Sequence, residues 1–122
     1  MAFQIRFLDA DRRVLLTPGP GMRGPRLTDH VIQALADRPE IADWDWVNDL
    51  REPVEDSSHD DIIRIAAAFD AVSTVPTFTV FVTPDQNLRL WAQVMDHQFR
   101  HRRHLIAETP EAALALLDRR RA

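Results

Sequence analysis

Residues 72–82, Val72-Ser73-Thr74-Val75-Pro76-Thr77-Phe78-Thr79-Val80-Phe81-Val82, constrain the fold more than any other stretch. β-Branched and aromatic residues dominate, which marks a strand. Pro76 stands at its mouth, where a strand tolerates proline, and not in its middle.

The segments around it alternate in type. Residues 3–8 alternate apolar and polar and read as a strand, residues 9–13 as a polar turn, and residues 14–17 as a short buried strand. The next stretch, residues 18–26, holds all 3 glycines and reads as a loop. A helix follows, capped by Thr28 or Asp29, with Val31, Ile32, Leu35 and Ala36 as its apolar stripe and Pro39 as its end. Residues 41–50 read as a strand region with Trp44 and Trp46 on one face. An acidic loop over residues 51–61 runs into a helix capped by Ser57, Ser58 or Asp60, which turns Ile62, Ile63, Ile65, Ala66 and Phe69 inward. After the central strand, residues 83–87 read as a hairpin turn and residues 88–95 as the returning strand. Residues 97–106 read as a short loop and then a strand, with a basic helix as the alternative, and Thr109 with Pro110 opens a terminal helix. The expectation is a single α/β domain over residues 1–122, a mixed sheet flanked by helices.

Composition removes several chemistries. There is no cysteine, so disulfides, thiolate catalysis and thiolate metal sites are excluded. All 15 basic residues are arginine, which excludes a lysine Schiff base, and the absence of tyrosine excludes a phenolic acid or base. Net charge is −4, so nucleic acid is not the expected partner. No apolar run reaches membrane-spanning length and the first residues do not read as a signal peptide, so the expected location is the cytoplasm.

Residues 67–78, Ala67-Ala68-Phe69-Asp70-Ala71-Val72-Ser73-Thr74-Val75-Pro76-Thr77-Phe78, resemble the aliphatic helix and V-x-x-x-P-T-F segment of the thioredoxin superfamily. In the same alignment, residues 14–17 fall on that family's central strand, and Arg23-Gly24-Pro25-Arg26 falls where it carries C-G-P-C. The resemblance spans roughly residues 14–95, with a longer interval between the motifs. Departures are clear: Thr17 stands near the family's buried acid, the glycine usual after the last strand is missing, and residues 96–108 are extra. The resemblance implies a cis Pro76 and a cysteine-free thioredoxin-like fold. It further implies a non-catalytic protein-binding domain, an assembly factor or chaperone-like adaptor of the kind found among bacterial hydrogenase-expression proteins.

On that reading the partner groove is formed by Thr74, Val75, Pro76 and Met22, with main-chain pairing at Val75. Arg23 and Arg26 flank it as anion-binding groups at a helix N-terminus. No catalytic residue, metal or cofactor is expected. His97, His101 and His104 have helical i, i+4, i+7 spacing, but Arg100, Arg102 and Arg103 between them repel a cation. His59 among Glu55, Asp56, Asp60 and Asp61 reads as part of a solvated acidic loop. Two alternatives stand beside the protein-binding reading. One is a thiol-independent enzyme holding an anionic substrate on Arg23 and Arg26, with His59 or His97 as base. The other is a domain that self-associates into a homodimer through an exposed strand edge at Trp44.

Overall fold

Antiparallel pairing is confined to the first two strands in the computed structural model, which describes residues 3–121. The elements are β1 (Gln4–Leu8), β2 (Arg13–Thr17), α1 (Gly24–Asp37), a 3-10 turn (Pro39–Asp43), β3 (Asp45–Asp49), α2 (His59–Asp70), β4 (Thr77–Val82), α3 (Asn87–Gln98), β5 (Arg102–Ala107) and α4 (Pro110–Arg121). The five strands lie in chain order, β1-β2-β3-β4-β5. Every pair from β2 to β5 is parallel.

Chain order fixes where the helices go. Each crossover β2-α1-β3, β3-α2-β4 and β4-α3-β5 steps to the next strand in the same direction. Right-handed crossovers then place all three helices on one face. The packing agrees: α1 touches α2 and α2 touches α3, while α4 touches β3, β4 and β5. One core, under α1 to α3, gathers Val14, Leu16, Val31, Leu35, Trp46 and Phe69. The second, under α4, gathers Val47, Val80, Val82, Ala113 and Leu117. The two-residue period of the strands splits the sheet this way, with Trp46 and Val47 on opposite faces.

An α/β domain with a mixed sheet flanked by helices is therefore what the chain forms. Ser58 caps α2 through a capping box with Asp61, and Thr109 Oγ1 accepts from the Ala112 N–H at 3.0 Å to open α4. Four expectations need correction. First, α1 starts at Gly24, with Arg23 as its N-cap, rather than near Thr28, because Pro25 fits the first helical turn. Second, the strand expected over residues 41–50 is shorter, since its first part forms the 3-10 turn and β3 begins at Asp45.

Third, residues 88–95 do not return as a strand but belong to α3. The turn residues before them start a helix: Thr83 Oγ1 accepts from the Asp85 N–H at 3.1 Å, and Asp85 Oδ1 accepts from the Asn87 N–H at 2.9 Å. So β4 runs parallel to both of its neighbours, and no hairpin follows the proline segment. Fourth, the Val75–Pro76 bond is trans, since the described residues contain no cis peptide bond. No helix among the described residues is long and apolar enough to cross a membrane.

Candidate ligand cavity

Of the residues on α3, only Ala92 is buried. A cavity of about 380 Å³ lies beneath it and its neighbours. Its floor is the sheet face carrying Trp46 and Asn48 from β3, Thr79 and Phe81 from β4, and Arg102 and His104 from β5. Its roof is apolar, with Leu27 and Val31 from α1, Ile62 and Ile65 from α2, and Trp91 and Met95 from α3. The mouth lies past the C-terminal ends of β3 and β4, among Arg51, Pro53, Ser57, Ser58 and Asp85. That end of the strands is where open α/β sheets receive their ligands.

The segment over the mouth, residues 51–58, is tied down at both sides. The Gly24 N–H donates to the Glu55 carbonyl at 2.6 Å, and the Glu55 N–H donates to the Met22 carbonyl at 2.9 Å. Gly24 is needed there: a Cβ on it would meet Ser57 Cα at 2.6 Å and the Asp56 carbonyl oxygen at 3.0 Å. Arg51 grips Asp49 with Nε at 2.9 Å and a terminal nitrogen at 2.6 Å, and this bonding holds the Asp49 carboxyl below its ordinary range.

The polar groups on the floor are few and distinct in role. Arg102 is buried, and its two terminal nitrogens donate to Phe78 O at 2.9 Å, Thr79 Oγ1 at 2.8 Å, Ala42 O at 3.0 Å and Trp44 O at 2.7 Å. Its guanidinium lies 4.4 Å from the Phe69 ring centre. This side chain ties the 3-10 turn and the start of β3 to β4. His104 lies beside Phe81 and Phe99, at ring-centre distances of 5.6 and 4.7 Å. Burial pushes its imidazole down to about 4, against the hydrogen bond it makes to Asp96, and the Arg102 charge acts in the same direction as burial. A neutral ring bonded through Nδ1 to a carboxylate carries its proton on Nδ1, which leaves Nε2 as an acceptor. Asn48 Oδ1 is buried in the cavity wall with no hydrogen bond from any protein group.

The structure does not bring the expected groove residues together. Because β2, β3 and β4 are parallel, Met22 after β2 and Val75 before β4 lie at opposite ends of the sheet. The Val75 N–H, expected to pair with a peptide, donates to Asp43 Oδ1 at 3.2 Å. Asp43 also accepts from the Thr74 N–H and Thr74 Oγ1, both at 2.6 Å. Burial pushes the Asp43 carboxyl up, but these bonds outweigh it and hold the group below its ordinary range. Pro76 lines a separate hollow of about 320 Å³ at the other end of the strands, with His97, Arg100, His101 and Arg103.

Arg23 is ion-paired with Asp56, and Arg26 is exposed in the first turn of α1. The N-terminal donors of α1 are largely used: Gly24 bonds Glu55, Pro25 has no N–H, and the Leu27 N–H bonds the Arg23 carbonyl at 3.0 Å. An anion would therefore find little to hold it there. His59 and His97 sit at the start of α2 and the end of α3, and neither lines the main cavity. Among the described residues no group of three ligating side chains could hold a metal ion. Trp44 is buried and precedes β3, the middle strand, so it offers no strand edge for self-association.

Asn48, Asp96, Arg102 and His104 were not marked as site residues by the sequence. A signal was present: Trp46 with Asn48, Thr77 with Thr79, and Arg102 with His104 each share one face of a strand, so polar side chains alternate into the sheet face under the helices. Comparison with known proteins identifies no relative: no family model, curated protein or solved structure matches the chain.

Proposed function

We propose that this protein binds one small, largely apolar molecule in the cavity beneath α1, α2 and α3. The observation that carries this reading is the cavity itself: about 380 Å³, walled by aliphatic and aromatic side chains, and placed at the C-terminal ends of the parallel strands. Its volume is in the range that encloses most of a small ligand.

The His104 imidazole favours binding over catalysis. A general base works best with a pKa near the working pH. Burial first, and Arg102 second, push this ring down to about 4, so it serves better as a fixed hydrogen-bond acceptor. The partner-binding reading at Thr74, Val75, Pro76 and Met22 lacks a common groove, because Met22 and Val75 lie at opposite ends of the parallel strands.

Titration with N-phenyl-1-naphthylamine, an uncharged probe that brightens in apolar surroundings, tests the reading. The expected result is saturable binding at one probe per chain, lost when Leu27→Trp fills the cavity from its roof. Leu27→Trp that folds and still binds the probe unchanged would rule the cavity out as the site.

A further inference from the structure

We infer that the hollow at the N-terminal ends of β4 and β5 is a second site, and that it takes a phosphate monoester. It lies at the opposite end of the strands from the main cavity, so the two assignments stand or fall separately.

The charge is already concentrated in the sequence. Residues 97–103, His97-Gln98-Phe99-Arg100-His101-Arg102-Arg103, contain no acid, in a chain whose net charge is −4. The fold draws these cations together. His97 ends α3, Arg100 and His101 form the turn, Arg103 opens β5, and all four are exposed and line a hollow of about 320 Å³. Arg120 arrives from the end of α4, with its guanidinium 5.9 Å from the ring centre of Phe78, which lines the same hollow.

These groups are available and their backbone is held. Arg13, Arg23, Arg38, Arg51 and Arg64 are each ion-paired with a carboxylate, but among the described residues no carboxylate is ion-paired with His97, Arg100, His101 or Arg103. The turn is pinned at two points: the Arg100 N–H donates to Asp70 Oδ1 at 3.0 Å, and the Thr77 N–H donates to the His101 carbonyl at 2.8 Å. Part of the ordering cost of binding is thereby met in advance. Asp96 is the one carboxylate among the described lining residues, and its Oδ1 is committed to His104. Arg102 also lines the hollow, but its terminal nitrogens are engaged within the sheet. Since α3 ends here, its dipole opposes an anion, and the side-chain cations must supply the attraction.

Geometry narrows the class of anion. Guanidinium groups bind carboxylate and phosphate alike through paired N–H donors. A planar carboxylate accepts them in one plane, whereas a phosphate turns three oxygens outward and can accept from β5, the turn and α4 together. The hollow also has room for more than the phosphate, and Pro76 and Phe78 give the ester's organic part an apolar surface.

Three probes separate the terms: phenyl phosphate, benzoate and inorganic phosphate, titrated into the full chain at fixed ionic strength and followed by amide chemical shifts at residues 97–103. Phenyl phosphate is expected to saturate at one per chain, roughly tenfold tighter than either of the others. Arg100→Gln and Arg103→Gln are each expected to weaken it by roughly tenfold, and Arg89→Gln, the same charge change at the far end of α3, to leave it unchanged. Benzoate binding as tightly as phenyl phosphate overturns the assignment to phosphate, and inorganic phosphate binding as tightly overturns the assignment to an ester. Equal weakening by Arg89→Gln, or shifts that appear only at residues 46–48 and 79–81, overturns the site.

Discussion

Asp96 Oδ1 accepts two hydrogen bonds from one residue: from the His104 backbone N–H at 2.7 Å and from His104 Nδ1 at 3.0 Å. The contact joins α3 to β5, the strand that follows it, on the side of the sheet that holds the cavity. It fastens a helix of which only Ala92 is fully buried. The same bond fixes the imidazole in the tautomer that turns an acceptor nitrogen away from Asp96.

Acid should loosen this fastening. The folded His104 stays neutral down to about 4, whereas its ordinary value is 6.5. Between those values the unfolded chain binds a proton that the folded one refuses. The contribution is therefore fully present above pH 6.5 and is lost as the pH falls toward 4, to a total of about 3 kcal/mol. Urea unfolding at half-unit pH steps should show that slope, and His104→Gln should flatten it. An equal slope in the variant would place the pH dependence elsewhere.

Replacing Arg102 should be among the most damaging single changes. Arg102→Met leaves the carbonyls of Ala42, Trp44 and Phe78 without these donors in a buried setting. A loss of about 3–5 kcal/mol is expected from denaturant midpoints. Arg102→Lys should recover little of it, because an ammonium cannot reproduce the planar fork that reaches both β4 and the start of β3. Full recovery by lysine would mean that charge, not geometry, is what matters at this position.

Gly24 gives a prediction in which two rules disagree in sign. In an exposed helix, glycine to alanine gains up to about 1 kcal/mol. Here the added Cβ meets the backbone of Ser57 at 2.6 Å, so the segment over the cavity mouth must shift. Gly24→Ala should lower stability by about 1–3 kcal/mol and speed the release of a bound probe. Stopped-flow displacement reads the second effect, and a release rate unchanged from the unaltered chain would show that the segment does not guard the mouth.

The capping box of α2 offers a smaller check. Ser58→Ala removes the acceptor for the Asp61 N–H at the start of the helix beside the mouth. About 1 kcal/mol of stability should be lost in thermal or chemical unfolding. No measurable loss would mean that Asp61, through its bond to the Ser58 N–H at 3.1 Å, caps the helix alone.

Local signals in the sequence were sufficient for most elements. The strand over residues 77–82, the Thr109–Pro110 helix start and the Ser58 cap each follow from chemistry within a few residues. The segment from Leu88 to Met95 reads as a strand yet folds as a helix, because it satisfies two periods. Leu88, Leu90, Ala92 and Val94 alternate as in a strand, while Leu88, Trp91, Ala92 and Met95 also fall on one helical face. Tertiary context chose the helix, leaving Leu90 and Val94 exposed. Strand order was not legible at all, since nothing local tells β4 whether its neighbours run parallel. That one unknown decided the fate of the expected groove, because it sent Met22 and Val75 to opposite ends of the sheet.

The cavity was hidden for a related reason. Its polar floor comes from β3, β4 and β5, which are separated along the chain and meet only through the register that sets Trp46 against Thr79 and Thr79 against His104. Asn48 lies in a strand next to Asp49 and gives no sign of burial until its neighbours are placed.

Amide chemical-shift mapping during titration with N-phenyl-1-naphthylamine tests the ligand-cavity assignment most directly. Shifts should concentrate on the cavity floor at residues 46–48 and 79–81, and on the α3 roof at residues 88–95. Changes confined instead to Thr74, Val75 and the hollow around His97 and His101 would contradict the assignment and move the binding surface to the opposite end of the strands.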